Sequence, residues 1–146
     1  MTAQLERGQG LASTIARVIL GGIFFAHGWQ KFVTNGMDAT AKAFDGMGVP
    51  VPTLSAWFAG IVELVGGAAL IIGLAVPIVA VLGIIDMLGA IVFVHWDNGF
   101  FASNPGGGGY ELPLALIAGL IAVGIASHGP LAADTHLLKS RSKVNA

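Results

Sequence analysis

The run LSAWFAGIVELVGGAALIIGLAVPIVAVLGIIDMLGAIVFVHW, from Leu54 to Trp96, decides the fold. Across it only Glu63 and Asp86 are acidic, and no Lys or Arg occurs. One interruption divides it: Gly73-Leu74-Ala75-Val76-Pro77. A helix needs about 20 mostly apolar residues to cross roughly 30 Å of hydrocarbon. The run therefore reads as two spans, Leu54 to Leu74 and Pro77 to about Trp96, joined by a tight turn. Pro77 falls in a first helical turn, where proline is tolerated.

Working outward, the segments from near Leu11 to Val33 and from about Tyr110 to Ser127 have the same character. The whole chain of 146 residues is 55% hydrophobic and 10% charged, with a mean hydropathy of +0.81. Soluble domains carry about 25% charged residues. The polar residues here are too few to cover a water-facing surface. The expectation is an all-α integral membrane protein: one membrane domain over 1–146, built as a four-helix bundle with spans at about 11–33, 54–74, 77–96 and 110–127. The first segment is no cleaved signal peptide. It is too long, it holds Arg17, His27 and Lys31, and no small-residue cleavage site follows. With a net charge of -1 and no basic stripe, nucleic acid is not an expected partner. No cysteine is present, so disulfides, thiol redox chemistry and cysteine-held clusters are excluded. No cofactor is expected to be covalently bound, and a redox role would borrow one.

Orientation follows from charge. The tail carries Lys139, Arg141 and Lys143 and the head Arg7, whereas the opposite loops offer Lys31 and Lys42. The positive-inside rule then puts both termini of a multi-pass cell-membrane protein in the cytoplasm. Trp29, Trp57, Trp96 and Tyr110 all fall at the opposite, outer ends of their spans, as interfacial aromatics do. Asp38 to Met47 fits a short amphipathic helix on that surface or a plain loop. Gly106 to Gly109 lacks the Lys-Ser/Thr ending of a phosphate-binding loop and reads as a connector.

The first and third spans share a pattern. Leu20-Gly21-Gly22-Ile23-Phe24-Phe25-Ala26-His27 matches Leu88-Gly89-Ala90-Ile91-Val92-Phe93-Val94-His95 at five of eight positions. Two helical hairpins related by an axis along the membrane normal, a parallel repeat, would explain this; chance similarity in an apolar composition is the competing reading.

Charges in hydrocarbon are costly, roughly 2.5–3.5 kcal/mol each on insertion scales, and usually face the bundle interior with a partner. At about 1.5 Å per residue, Arg17 lies about 9 Å, and Glu63 and Asp86 roughly 14–16 Å, from the cytoplasmic ends of their spans. An extended arginine bridges most of that gap, so Arg17, Glu63 and Asp86 are expected to form a buried charge cluster. At about 100° per residue, Arg17, Gly21, Phe24, Gly28 and Lys31 share a face of the first helix. Ala56, Gly60, Glu63, Gly67 and Leu70 share one on the second, and Gly83, Asp86, Ala90, Phe93 and Asp97 one on the third. Small residues beside the charges let helices approach closely. A cluster that only fixes helix order is as compatible with these facts as one that moves protons.

A second group, His27, Lys31, His95, Asp97 and Glu111, falls near the outer ends of the spans. It is the expected ligand site, suited to the polar head of a quinone. The spacing matches no metal motif, and no metal is expected. Interfacial side chains reaching for water are the plainer explanation. His128 and His136 read as interfacial on the other side.

These residues resemble the DoxX family of small four-helix membrane proteins. The resemblance rests on Arg17-Val18-Ile19-Leu20-Gly21, His27-Gly28-Trp29-Gln30-Lys31, Val62-Glu63-Leu64-Val65-Gly66-Gly67 running to Ile72-Gly73-Leu74, Asp86-Met87-Leu88-Gly89-Ala90 and His95. It covers most of the first three helices and only the general character of the fourth. The family implies a link to redox metabolism, and one branch is similar to a subunit of thiosulfate:quinone oxidoreductase. It marks Arg17, His27, Lys31 and Glu63 as matching polar positions without catalytic roles. Lacking cysteine, this chain is not expected to carry a persulfide by itself.

Three functions compete: an accessory or quinone-associated subunit of a membrane oxidoreductase or respiratory assembly, a structural scaffold without chemistry, and a small-molecule or proton transporter acting as an oligomer. The first ranks highest. Expected partners are the lipid bilayer and other membrane subunits or further copies of the chain.

Overall fold

A computed structural model describes residues 2–105 and 108–125, with side chains from Gly8 onward. The basic tail with His128 and His136, the Arg7 side chain, and Gly106 and Gly107 lie outside the described residues.

The architecture is all-α, as expected. The helices are α1 (Thr2–Trp29), α2 (Met37–Gly46), α3 (Pro52–Ile72), α4 (Val76–Ala90) and α5 (Glu111–Ile125). α1 continues into a π-helical segment, Gln30–Asn35; α4 continues into another, Ile91–His95, and then a 3-10 turn, Trp96–Asn98. Gly8–Asn35, Pro52–Ile72 and Val76–Asn98 are each long and apolar enough to cross a membrane. α5 is apolar but shorter over its described part. The expected boundaries shift by a few residues: the first helix begins well before Leu11, and α3 begins on Pro52, a proline at a helix start.

Apolar residues face both ways. Leu20, Phe24, Leu70, Val76, Leu120 and Val123 fill the core. Ile15, Ile19, Leu54, Val65, Ile78 and Val81 are exposed around the outside. An apolar belt on this scale is a lipid-facing surface rather than a water-facing one.

Around the bundle the neighbours run α1, α3, α4, α5 and back to α1, with α1 and α3 the most extensively packed pair. That seam is built on glycine. A Cβ on Gly67 would run into the backbone of Phe25 and Gly21, and one on Gly28 into the backbone of Leu64. Small residues bring helix backbones together where apolar burial gives no net drive between lipid and protein. α4 meets α5 in a similar way, Gly83 against Leu120 and Gly124 against Ala80. The α3–α4 turn is as tight as expected. Gly73 and Ala75 both take left-handed backbone, φ 76° and 49°, and the Leu74 N–H caps α3 by donating to the Ala69 carbonyl at 2.8 Å.

The segment after Asp38 is a helix, α2, packed on α3 and on the π-helical end of α1. Thr40 anchors its first turn, donating from Oγ1 to the Gly36 carbonyl at 2.9 Å. The tryptophans gather at this end of the bundle. Trp57 makes an edge contact with Phe32, and Trp96 stacks on Tyr110.

Candidate functional site

Beneath the tryptophan end lies a cavity of about 550 Å³ that every helix of the fold helps to line. Its polar lining includes His27 and Lys31 from the end of α1, Glu63 from α3, Asp86 from α4, and His95 from the π-helical segment after α4. Its walls are otherwise mostly apolar: Phe24, Phe58, Ala59, Phe93 and Leu116 among them. Phe44, Met47, Val49 and Pro50, from α2 and the loop after it, line it from the side of the bundle that α2 covers.

The buried charges are arranged differently from the sequence expectation. Arg17, Glu63 and Asp86 are all buried, at 3%, 5% and 9% exposure. The cation against Glu63, however, is Lys31, with Nζ 2.5 Å from Oε2. Arg17 Nη1 donates instead to the backbone carbonyls of Leu70 and Ile71, at 2.6 and 2.9 Å. Those carbonyls stand seven and eight residues past Glu63, roughly 10–12 Å along α3. The guanidinium thus serves carbonyls of the last helical turn, at the negative end of the helix dipole, where Leu70 also accepts from the Gly73 N–H at 3.2 Å. Depth alone placed Arg17 near the carboxylates; the antiparallel register of α1 and α3 separates them and brings Lys31 into the position.

Asp86 sets its carboxyl beside that of Glu63. Its Oδ2 is buried and finds no hydrogen-bonding partner among the described residues. A buried polar atom without a partner is costly and marks a place that a ligand or water satisfies.

The expected outer site is brought together in part. His27, Lys31 and His95 line the cavity, whereas Asp97 and Glu111 do not. Glu111 is exposed and accepts from the Ala102 N–H at 2.9 Å, tying down the loop before α5. Asp97 is exposed in the 3-10 turn. The reason is the π-helical segment Ile91–His95. A π turn takes in more residues than an α turn, so the 100° rule that aligned Asp86 with Asp97 fails across it. His95 is oriented by its contact with the Gly108 carbonyl, 2.9 Å from Nδ1. A carbonyl only accepts, so Nδ1 carries the proton in that contact and Nε2 of the neutral ring is left as an acceptor. Asn98 donates to the same carbonyl at 3.2 Å.

Two features were not read from the sequence. One is the wall of Phe44, Met47, Val49 and Pro50; the apolar spacing Met37, Ala41, Phe44 along α2 is the signal that could have found it. The other is that both repeat-like segments lead into π-helix, just after His27 in one and at His95 in the other. π segments inside helices are frequent at functional sites.

Geometry and composition thus define a helical membrane protein with a polar-headed, apolar-walled cavity near one membrane face. The chain belongs to the DoxX family, whose model matches residues 12–96. It is 32% identical over 135 residues to the Bacillus subtilis (strain 168) protein named "Putative oxidoreductase CatD", covering 92% of this chain and 93% of that one. It is 34% identical over 105 residues to the "Uncharacterized membrane protein Rv3486" of Mycobacterium tuberculosis (strain ATCC 25618 / H37Rv), covering 71% of this chain and 61% of that one. No solved structure matches the chain.

Proposed function

We propose that this DoxX protein is a quinone-associated accessory subunit of a membrane oxidoreductase or respiratory assembly. The observation that carries the reading is the cavity itself: a Lys31–Glu63 pair with a half-buried cation and a buried carboxylate, an adjacent Asp86 with an unpartnered oxygen, and two histidines, all set in apolar walls. Its volume falls within the roughly 300–1,000 Å³ typical of small-molecule sites, which pair apolar walls with a few placed polar groups. A relative over nearly the full length carries an oxidoreductase name, which supports the same reading.

The residues present fit a quinone head. Its carbonyls need donors, and Lys31 and His27 supply them; its hydroxyls, once reduced, need acceptors, and Asp86 Oδ2 and His95 Nε2 supply those. A bound quinone brings the capacity to take up two electrons and two protons. The protein's own part is narrower. Lys31 holds Glu63 in place, Asp86 and the histidines lie where protons can be passed to or taken from the head, and the apolar walls exclude water. The electrons come from a partner subunit; the chain has no cysteine for a thiol or iron–sulfur centre.

Photo-crosslinking with a quinone analogue in native membranes tests this. The label should map to the cavity and be lost in a His27→Ala, His95→Ala double variant, and native purification should bring along flavin-, haem- or iron–sulfur-bearing chains. Even labelling over the lipid-facing surface, unchanged by the double variant, would leave the scaffold as the better account.

The same reading includes four spans with both termini in the cytoplasm. It places Ser103 outside and Ser142 inside, so single-cysteine variants at the two positions should label from opposite sides of sealed membranes. Labelling of Ser142→Cys from outside would reverse the orientation.

A further inference from the structure

The cavity has two kinds of boundary, and the difference says how a ligand reaches it. On the side that α2 covers it is lined by Phe44, Met47, Val49 and Pro50. These are apolar groups, a poor path for a hydrated molecule arriving from water. On its flank the cavity runs between α3 and α4. Ser55, Phe58 and Ala59 line it from α3, Ile85 and Gly89 from α4, and Phe93 from the π-helical segment after α4. Ile85 and Gly89 are spaced four apart and so share a face of α4. Several of these lining groups also face outward: Phe58 is 37% exposed, Ile85 51% and Phe93 39%. Near their shared turn the two helices touch, with Gly66 close against Val79. Toward the tryptophan end the cavity occupies the space between them.

Depth decides what fills that space. Gly89 lies seven residues and Ile85 eleven before the interfacial Trp96, at most about 10 and 16 Å below it at α-helical rise and less across the π-helical segment. A passage between the two helices there would lie at the level of lipid tails, not of headgroups. It would lead directly to Lys31, Glu63 and Asp86. A molecule with one polar end and a long apolar tail matches both parts at once.

We infer that a long-tailed quinone enters sideways from the bilayer through the cleft between α3 and α4, and that its tail stays in that cleft, along Phe58, Ile85, Gly89 and Phe93, while its head reaches Lys31 and Asp86. This rests on the quinone reading above and adds the route and the tail site.

Gly89 gives a clean test. A Cβ there meets nothing within 4 Å, so a side chain can start from Gly89 without strain, and Gly89→Phe puts a ring into the cleft. Gly22→Phe is the control. It is equally free of neighbours, stands seven residues before Trp29 as Gly89 stands before Trp96, and does not line the cavity. The protein is reconstituted in liposomes with two photoreactive quinones, one with a long isoprenoid tail bearing a crosslinker, the other a head without a tail. In the unmodified protein the tail label should land on Phe58, Ile85 or Phe93. Gly89→Phe should weaken labelling by the long-tailed probe at least about tenfold, the equivalent of losing the burial of some two methylene groups. Gly22→Phe should not, and the tail-less probe should label the cavity equally in all three proteins. Tail label near Leu112 on the α1–α5 side, or undiminished long-tail labelling of Gly89→Phe, overturns the route while the cavity site stands. Failure of both probes to label the cavity of the unmodified protein overturns the route and the quinone reading together. The tail-label position in the unmodified protein decides the matter even if Gly89→Phe fails to fold.

Discussion

The seam between α1 and α3 and the cleft between α3 and α4 use the same residue type to opposite ends. In the seam, Gly21, Gly28 and Gly67 are there because nothing larger fits; each faces backbone or side chain of the opposing helix. In the cleft, Gly89 faces open space. One set of glycines lets two helices lock, and the other leaves a gap beside a polar site. The contrast also sorts the charges. Lys31 reaches across the locked seam to Glu63, and Asp86 reaches the same carboxylate from α4. α3 therefore presents Glu63 at the junction of the rigid pair and the open one. A site built this way has a fixed half that holds geometry and a looser half that admits a ligand.

This contrast can be broken most severely at the ion pair. Lys31→Ala leaves Glu63 buried without its cation and should cost about 3–5 kcal/mol. Thermal melting in detergent would show it, and adding Glu63→Gln should restore much of the loss. If Lys31→Ala melts like the parent, the pair does not lock the seam. Gly67→Val comes next. Its branched side chain must push the backbones of α1 and α3 apart, and overpacking of this kind typically costs about 1–3 kcal/mol. The same melting experiment reads it, and an unchanged midpoint would mean that the seam is not closely packed there. A smaller effect of opposite sign is expected at the α3–α4 turn. Ala75 sits in left-handed backbone, where a non-glycine residue costs roughly 1–2 kcal/mol. Ala75→Gly should therefore be neutral or stabilising by about 1 kcal/mol, and a clear loss would show that the turn depends on the alanine side chain. The smallest change is expected in the cleft. Gly89→Ala adds a methyl group in open space and a better helix former, a gain of no more than about 1 kcal/mol. A destabilisation there as large as that of Gly67→Val would close the cleft and erase the distinction between the two interfaces.

Periodicity read the helix faces well wherever the helix stayed α. The face Arg17, Gly21, Phe24, Gly28 of α1 and the face Ala56, Gly60, Glu63, Gly67, Leu70 of α3 turn inward as the 100° rule requires; Lys31, in the π-helical segment after α1, is half-buried. On α4 the rule holds for Gly83 and Asp86 and then fails: Phe93 and Asp97 are exposed. The π-helical segment at Ile91–His95 intervenes, and no side-chain pattern in that apolar stretch announces it. Of the expected ligand group, His27, Lys31 and His95 line the cavity, and Asp97 and Glu111 do not.

By itself the sequence determined the surroundings, the helices and their inward faces. Those are consequences of local composition: apolar length against bilayer thickness, a glycine–proline interruption that ends one helix and starts another, and a period of 3.6. The motif residues also sufficed to indicate the family. Only the tertiary structure decided which cation meets which carboxylate. Arg17 on α1 and Lys31 in the π-helical segment after it both face α3, and both are long enough to reach a neighbour. The choice depends on how far α1 slides against α3, and that is set where Gly21 meets Gly67 and Gly28 meets Leu64. The same holds for the cavity. One wall comes from α2, packed on α3 and the end of α1, and another from α3 and α4, which touch near their turn and both line the cavity beyond it, neither of which is a property of any single segment.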